Sequence, residues 1–68
     1  MLTSMERVIA RDVASGLTNP AIARKRMLSL STVKTHLHNI FIKLGFYGSQ
    51  KRGYDSRVLL ANYINKGQ

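Results

Sequence analysis

Asn19-Pro20, the break at Met27-Leu28-Ser29 and the stop at Gly45 dictate a short helix, a tight turn and a longer helix in the middle of this chain. Asn19 supplies an N-cap, and proline follows at the first helical position, where its missing N–H costs nothing. A helix over 20–27 is expected. Ser29 or Ser31 caps the next one, which runs over 30–44 until Gly45 ends it. Upstream, Thr3 and Glu6 have capping-box spacing. Met5, Val8, Ile9, Val13 and Leu17 recur three and four apart, and Gly16 supplies a left-handed terminus, so a first helix is expected over 3–15. Downstream, Asp55 or Ser56 caps a last helix over 56–66, with Val58, Leu59, Ala61, Tyr63 and Ile64 as its apolar members. The expected fold is all-α with four helices; no strand signal is present, hence no wing.

The longer helix has two unlike faces. At 100° per residue, Val33, Leu37, Ile40 and Leu44 form one stripe, with Phe41 and His36 at its edges. They face the core. The opposite side gathers Ser31, Lys34, Thr35, His38 and Ile42, flanked by Asn39, and carries no carboxylate. Donors, acceptors, a fixed cation and an apolar group are the types that can meet base edges in a major groove. A short helix, a turn and a longer basic helix is also the sequence form of a helix-turn-helix, in which the second helix enters the groove and the first crosses the backbone. Arg24, Lys25 and Arg26, on or ending that first helix, are then placed for phosphates.

Charge points the same way. Eleven Lys and Arg stand against three Asp and Glu, a formal charge of +8, so a polyanion is the natural partner. No acid lies between Asp12 and Asp55, an interval that holds Arg24, Lys25, Arg26, Lys34, Lys43, Lys51 and Arg52. A solvated basic surface or a membrane surface would account for charge alone. With 68 residues and no cysteine, one domain over 1–68 is expected, held by packing without disulfides or a cysteine zinc site. Neither a signal peptide nor an apolar run of about 18 residues is visible, so a cytoplasmic chain is expected, nucleoid-associated when bound to DNA. His36 and His38 point about 200° apart on a helix and cannot share a metal. Paired carboxylates, a cysteine nucleophile and a glycine-rich phosphate loop are missing, so no enzyme, cofactor or small-molecule ligand is expected.

The stretches LTSMERVIARDVASGLTNPAIA and LSLSTVKTHLHNIFIKLG resemble the LuxR/GerE-type helix-turn-helix of bacterial transcription regulators. Leu2, Thr3, Glu6, Gly16, Leu17, Asn19, Ile22, Ala23, Ser29, Thr32, Val33, Lys34, His36, Lys43, Leu44 and Gly45 stand where that family has them. The resemblance covers residues 2–46. It implies a four-helix domain that binds double-stranded DNA sequence-specifically, third helix in the major groove, with a fourth helix that often pairs two copies. Lys34, Thr35 and His38 match base-facing positions; Thr18, Ser31, Thr32, Asn39 and Lys43 match or adjoin phosphate-contacting ones. Such modules commonly serve regulators whose sensing domain lies elsewhere, and contact with RNA polymerase fits that setting.

Four departures qualify the match. The family's glutamate before Ile-Ala is Ala21, its basic residue after Leu-Thr is Met5, and its core leucine is Arg26. A long basic side chain at 26 is expected to snorkel outward or displace the short helix. The connection FYGSQKRGYDSR, 46–57, is about five residues longer than usual, a change that loop closure tolerates. Its Lys51 and Arg52 are candidate phosphate contacts, and Tyr47 and Tyr54 candidate anchors to the body. The rival readings are a protein-interaction module of the same fold, binding RNA polymerase or another regulator with little DNA specificity, and non-specific binding to RNA or a membrane surface.

Overall fold

The computed structural model describes residues 2–45 and 56–66. Their regular structure is helical throughout: α1 (Ser4–Ala14), α2 (Asn19–Arg26), α3 (Leu30–Leu44) and α4 (Ser56–Lys66). Lys51, Arg52, Tyr47, Tyr54 and Asp55, with the roles expected of them, lie outside the described residues.

Local chemistry sets most of the boundaries. Thr3 and Glu6 close the capping box reciprocally: the Thr3 N–H donates to Glu6 Oε1 at 2.8 Å, and the Glu6 N–H donates to Thr3 Oγ1 at 3.2 Å. Helix α1 ends where Gly16 takes φ +94°. The cap of α2 is Thr18, whose hydroxyl accepts the Ala21 N–H at 3.3 Å, so Asn19 becomes the first helical residue and Pro20 the second. That corrects the expected Asn19 cap. The Asn19 side chain is engaged elsewhere, as its carbonyl oxygen accepts from Arg57.

The turn between α2 and α3 is closed by Met27 in the left-handed conformation, φ 58° and ψ 44°. The Leu28 N–H donates back to the Ala23 carbonyl at 2.9 Å, satisfying a terminal acceptor. A Cβ in that conformation is strained, and methionine brings it no packing in return: the side chain is 92% exposed. Ser29 then caps α3, accepting the Thr32 N–H at 3.1 Å, which selects between the two serines. Gly45, at φ +75°, ends it.

The core joins Ile9, Ala10 and Val13 of α1, Ile22 and Ala23 of α2, Val33, Leu37 and Ile40 of α3, and Leu60 of α4. Leu17, Leu28, Phe41, Leu44 and Ile64 pack around it. Each of the large side chains fully withdrawn from water stabilises the fold by about 1.5–3 kcal/mol. Helix α1 packs against α3 and α4, while α2 packs on α3, so the α2–α3 pair rests on α1 with its other side open to solvent.

Two helices differ from expectation in which face they bury. On α4 the buried residue is Leu60, which the sequence reading passes over, while Val58 and Tyr63 are half-exposed. Apolar side chains nearly encircle this helix, so periodicity selects no face. Arg57 supplies a polar anchor that periodicity cannot reveal: its guanidinium donates to the Asn19 side chain and, at 2.6 Å, to the Leu17 carbonyl. On α1, Met5 of the expected stripe is 38% exposed, whereas Glu6 and Asp12 are buried.

Those acids overturn the expectation for Arg26. Its guanidinium turns to α1 instead of outward. Its Nε and Nη2 donate to the two carboxylate oxygens of Asp12, each at 2.8 Å, in a bidentate pair between α2 and α1. A carboxylate only 3% exposed is costly to keep ionised without such a partner, and Arg26 supplies two hydrogen bonds where a leucine would supply none.

Candidate nucleic-acid interface

The surface that the sequence singles out is on the open side of the α2–α3 pair. Burial of Val33, Leu37 and Ile40 fixes the rotation of α3, and the opposite face is thereby exposed: Ser31, Lys34, Thr35, His38, Asn39 and Ile42 all reach solvent. His36 is half-buried at the core edge. The three expected base-reading residues, Lys34, Thr35 and His38, therefore lie together on one helical face.

At the start of α3 three hydroxyls cluster. Ser29 Oγ lies 2.8 Å from Thr32 Oγ1 and 3.2 Å from Ser31 Oγ, and the same Ser29 oxygen caps the helix. Hydroxyl donors beside the positive end of a helix dipole are suited to a phosphate oxygen. Thr32 is half-buried and Ser31 exposed. Thr18 is exposed too, although its hydroxyl already serves α2 as cap.

The cations of α2 and α3 divide into two groups. Arg24 and Lys25 of α2 and Lys34 of α3 are exposed. Lys25 stays 55% exposed although its Nζ comes within 3.7 Å of Asp12. Arg26 and Lys43, by contrast, are drawn to α1. The Lys43 ammonium donates to Glu6 Oε1 at 2.8 Å, on the same oxygen that accepts the Thr3 N–H. That contact ties the end of α3 to the start of α1. Sequence reasoning missed it, because 37 residues separate the partners and no periodicity links them.

The electrostatics follow from this pairing. The Lys43 ammonium, helped by the Thr3 N–H, holds the Glu6 carboxyl below the usual carboxylate range despite its burial. The Arg26 guanidinium does the same for Asp12, and its own pKa is raised in return. Both acids among the described residues are thus ionised, paired and buried beneath the α2–α3 layer. Neither acid lies on the exposed face of α3, and of the exposed cations Arg24, Lys25 and Lys34 only Lys25 comes near one. A sequence signal for this existed: Glu6 and Asp12 interrupt the apolar positions of α1, and an acid beside a core stripe asks for a cation.

Away from this surface, an open groove of about 610 Å³ runs between the α1–α2 turn and α4, lined by Leu17, Pro20, Val58 and Ala61 among others. Among the described residues no three His, Cys, Asp or Glu come together to hold a metal, and no helix is long and apolar enough to cross a membrane.

Comparison with known proteins bears on the same segment. The chain is 56% identical over 43 residues to the monoamine regulon transcriptional regulator of Klebsiella aerogenes, an alignment covering 63% of this chain and 19% of that protein. It is 45% identical over 47 residues to the fimbriae Z protein of Escherichia coli K12, covering 69% and 22%, respectively. With the CsgBAC operon transcriptional regulatory protein of the same strain it shares 43% identity over 44 residues, covering 65% and 20%. The chain thus spans about a fifth of the length of these relatives. No solved structure matches it. The sequence model of the bacterial regulatory proteins of the luxR family, GerE, matches residues 1–51, from the capping box of α1 through all of α2 and α3. With that match running over three-quarters of its length, the chain belongs to the LuxR family of bacterial regulatory proteins.

Proposed function

We propose that this chain, acting as one domain over residues 1–68, binds double-stranded DNA sequence-specifically for a bacterial transcription regulator, with α3 in the major groove. Lys34, Thr35 and His38 read base edges. Arg24, Lys25, Lys51 and Arg52 neutralise phosphates, and Thr18, Ser31, Thr32 and Asn39 hydrogen-bond to them, fixing the register in which α3 lies. The observation that carries this reading is the exposed, acid-free face of α3, set directly opposite its buried stripe and flanked by exposed cations. Lys43, whose ammonium serves Glu6, stands outside this phosphate set. Two copies bind together on a dyad-related site through α4, where Val58 and Tyr63 are half-exposed.

The salt dependence of duplex binding tests the reading. Each neutralised phosphate contributes about −0.9 to the log–log slope, so the four cations Arg24, Lys25, Lys51 and Arg52 give roughly −3 to −4. Weak duplex binding that salt hardly changes would favour a protein-interaction module instead.

A further inference from the structure

We propose that Ile42 is a specificity-determining residue of α3, which reads the C5-methyl group of a thymine; the inference rests on the base-contacting role proposed above for this face. Ile42 falls within about 60° of Ser31, Thr35 and His38 around the helix, on the far side from Val33, Leu37 and Ile40. It is 52% exposed, whereas those three aliphatic residues are buried. Packing therefore gives no account of an isoleucine at the centre of the outward stripe.

The chemistry of the face gives one. Its other members offer hydroxyls, an amide, an imidazole and an ammonium, all of which can serve hydrogen-bonding base edges. The apolar group on those edges is the thymine methyl, which an aliphatic side chain meets by contact alone. A β-branched side chain suits that task because its χ1 is already restricted in a helix, so little freedom is lost on contact. Thr35 carries a second methyl seven residues earlier, about 10.5 Å along the axis of α3. Helix α3 thus presents two apolar points with His38 between them. Deoxyribose offers apolar surface too, but it is the same at every position and would confer affinity without preference.

Removal of the methyl alone separates these sources. Duplexes enriched from a random pool by the wild-type chain are resynthesised with 2′-deoxyuridine in place of one thymine at a time, which leaves the pairing edge intact. At one position the replacement is expected to weaken wild-type binding about fourfold, the factor equivalent to ~0.8 kcal/mol for one buried apolar carbon. Ile42→Ala, an exposed change that keeps the helical circular dichroism, is expected to bind the thymine and uracil duplexes equally while retaining the preferences set by Lys34. If uracil is tolerated at every position, or Ile42→Ala keeps every thymine preference of the wild type, the inference is overturned while base reading by Lys34 and His38 stands. A pool from which no sequence is enriched overturns both.

Discussion

Replacing Arg26 by methionine keeps most of its aliphatic volume and removes the guanidinium from Asp12. The Asp12 carboxylate, 3% exposed, then loses two charge-assisted hydrogen bonds of 2.8 Å. Stranding a deeply buried ion costs about 3–5 kcal/mol. A smaller loss is expected here, about 1–3 kcal/mol, because the Arg26 side chain is 31% exposed and water already screens the pair. The Lys25 ammonium, 3.7 Å away, can also close part of the gap. The partner change Asp12→Leu should be nearly neutral, since it removes the buried charge and leaves Arg26 free to reach water. The double replacement should recover most of what Arg26→Met loses, so the two changes couple strongly.

The pH dependence has a definite sign. Asp12 has a lowered pKa in the folded chain, so its contribution is fully present above the unfolded value near 4 and is lost as pH falls through the folded one. In Arg26→Met the stranded carboxyl protonates more readily, and the deficit relative to wild type should narrow below about pH 4. Urea unfolding followed by circular dichroism at pH 7 and pH 3 reads both effects. Equal stability of Arg26→Met and wild type at pH 7, or a deficit that does not change with pH, would refute the assignment of this pair as the link between α1 and α2.

Further outcomes follow from the same contacts. Lys43→Ala should lower the denaturation midpoint while leaving the salt slope of DNA binding unchanged, because its ammonium serves Glu6; a slope reduced by about one would return Lys43 to the phosphates. Met27→Gly should raise stability by about 1 kcal/mol in thermal unfolding by relieving the left-handed strain at the α2–α3 turn, and a loss would show that the turn is held otherwise. Leu60→Ala should cost about 2–5 kcal/mol in chemical unfolding, whereas Val58→Ala should cost well under half as much; the reverse order would contradict the register of α4.

What the sequence discloses is what short-range chemistry decides. The Thr3–Glu6 box, the Gly16 and Gly45 stops and the two faces of α3 each depend on residues within a turn or two of one another, and all of them stand as expected. Even the Asn19 cap fails by one position, because two neighbouring polar residues can both cap and the choice falls to Thr18 once Arg57 engages Asn19. What escapes is long-range. Asp12 meets Arg26 across 14 residues, Glu6 meets Lys43 across 37, and Arg57 reaches the α1–α2 turn from 38 and 40 residues away. None of these partners shares a helix, so no periodicity connects them. The passing over of Leu60 has the same origin: α4 is apolar on several sides, and the rest of the fold determines which side it buries.

The candidate site is more legible than the scaffold beneath it. Lys34, Thr35 and His38 share a face because 100° per residue places them there, and the buried stripe opposite turns that face to solvent. Composition, however, counts Arg26 and Lys43 with the exposed cations. The structure separates them, since Asp12 binds Arg26 and Glu6 binds Lys43, while Arg24, Lys25 and Lys34 of α2 and α3 stay exposed.

Selection of bound sites from a random duplex pool, followed by affinity measurement of the enriched and scrambled duplexes with wild type, Lys34→Ala and His38→Ala, tests the base-reading role of α3 most directly. An enriched site whose advantage over scrambled sequence falls by about 1–3 kcal/mol in either variant, with binding to scrambled duplex little changed by His38→Ala, is the predicted result. Unchanged relative affinity for enriched and scrambled duplexes in both variants would contradict it.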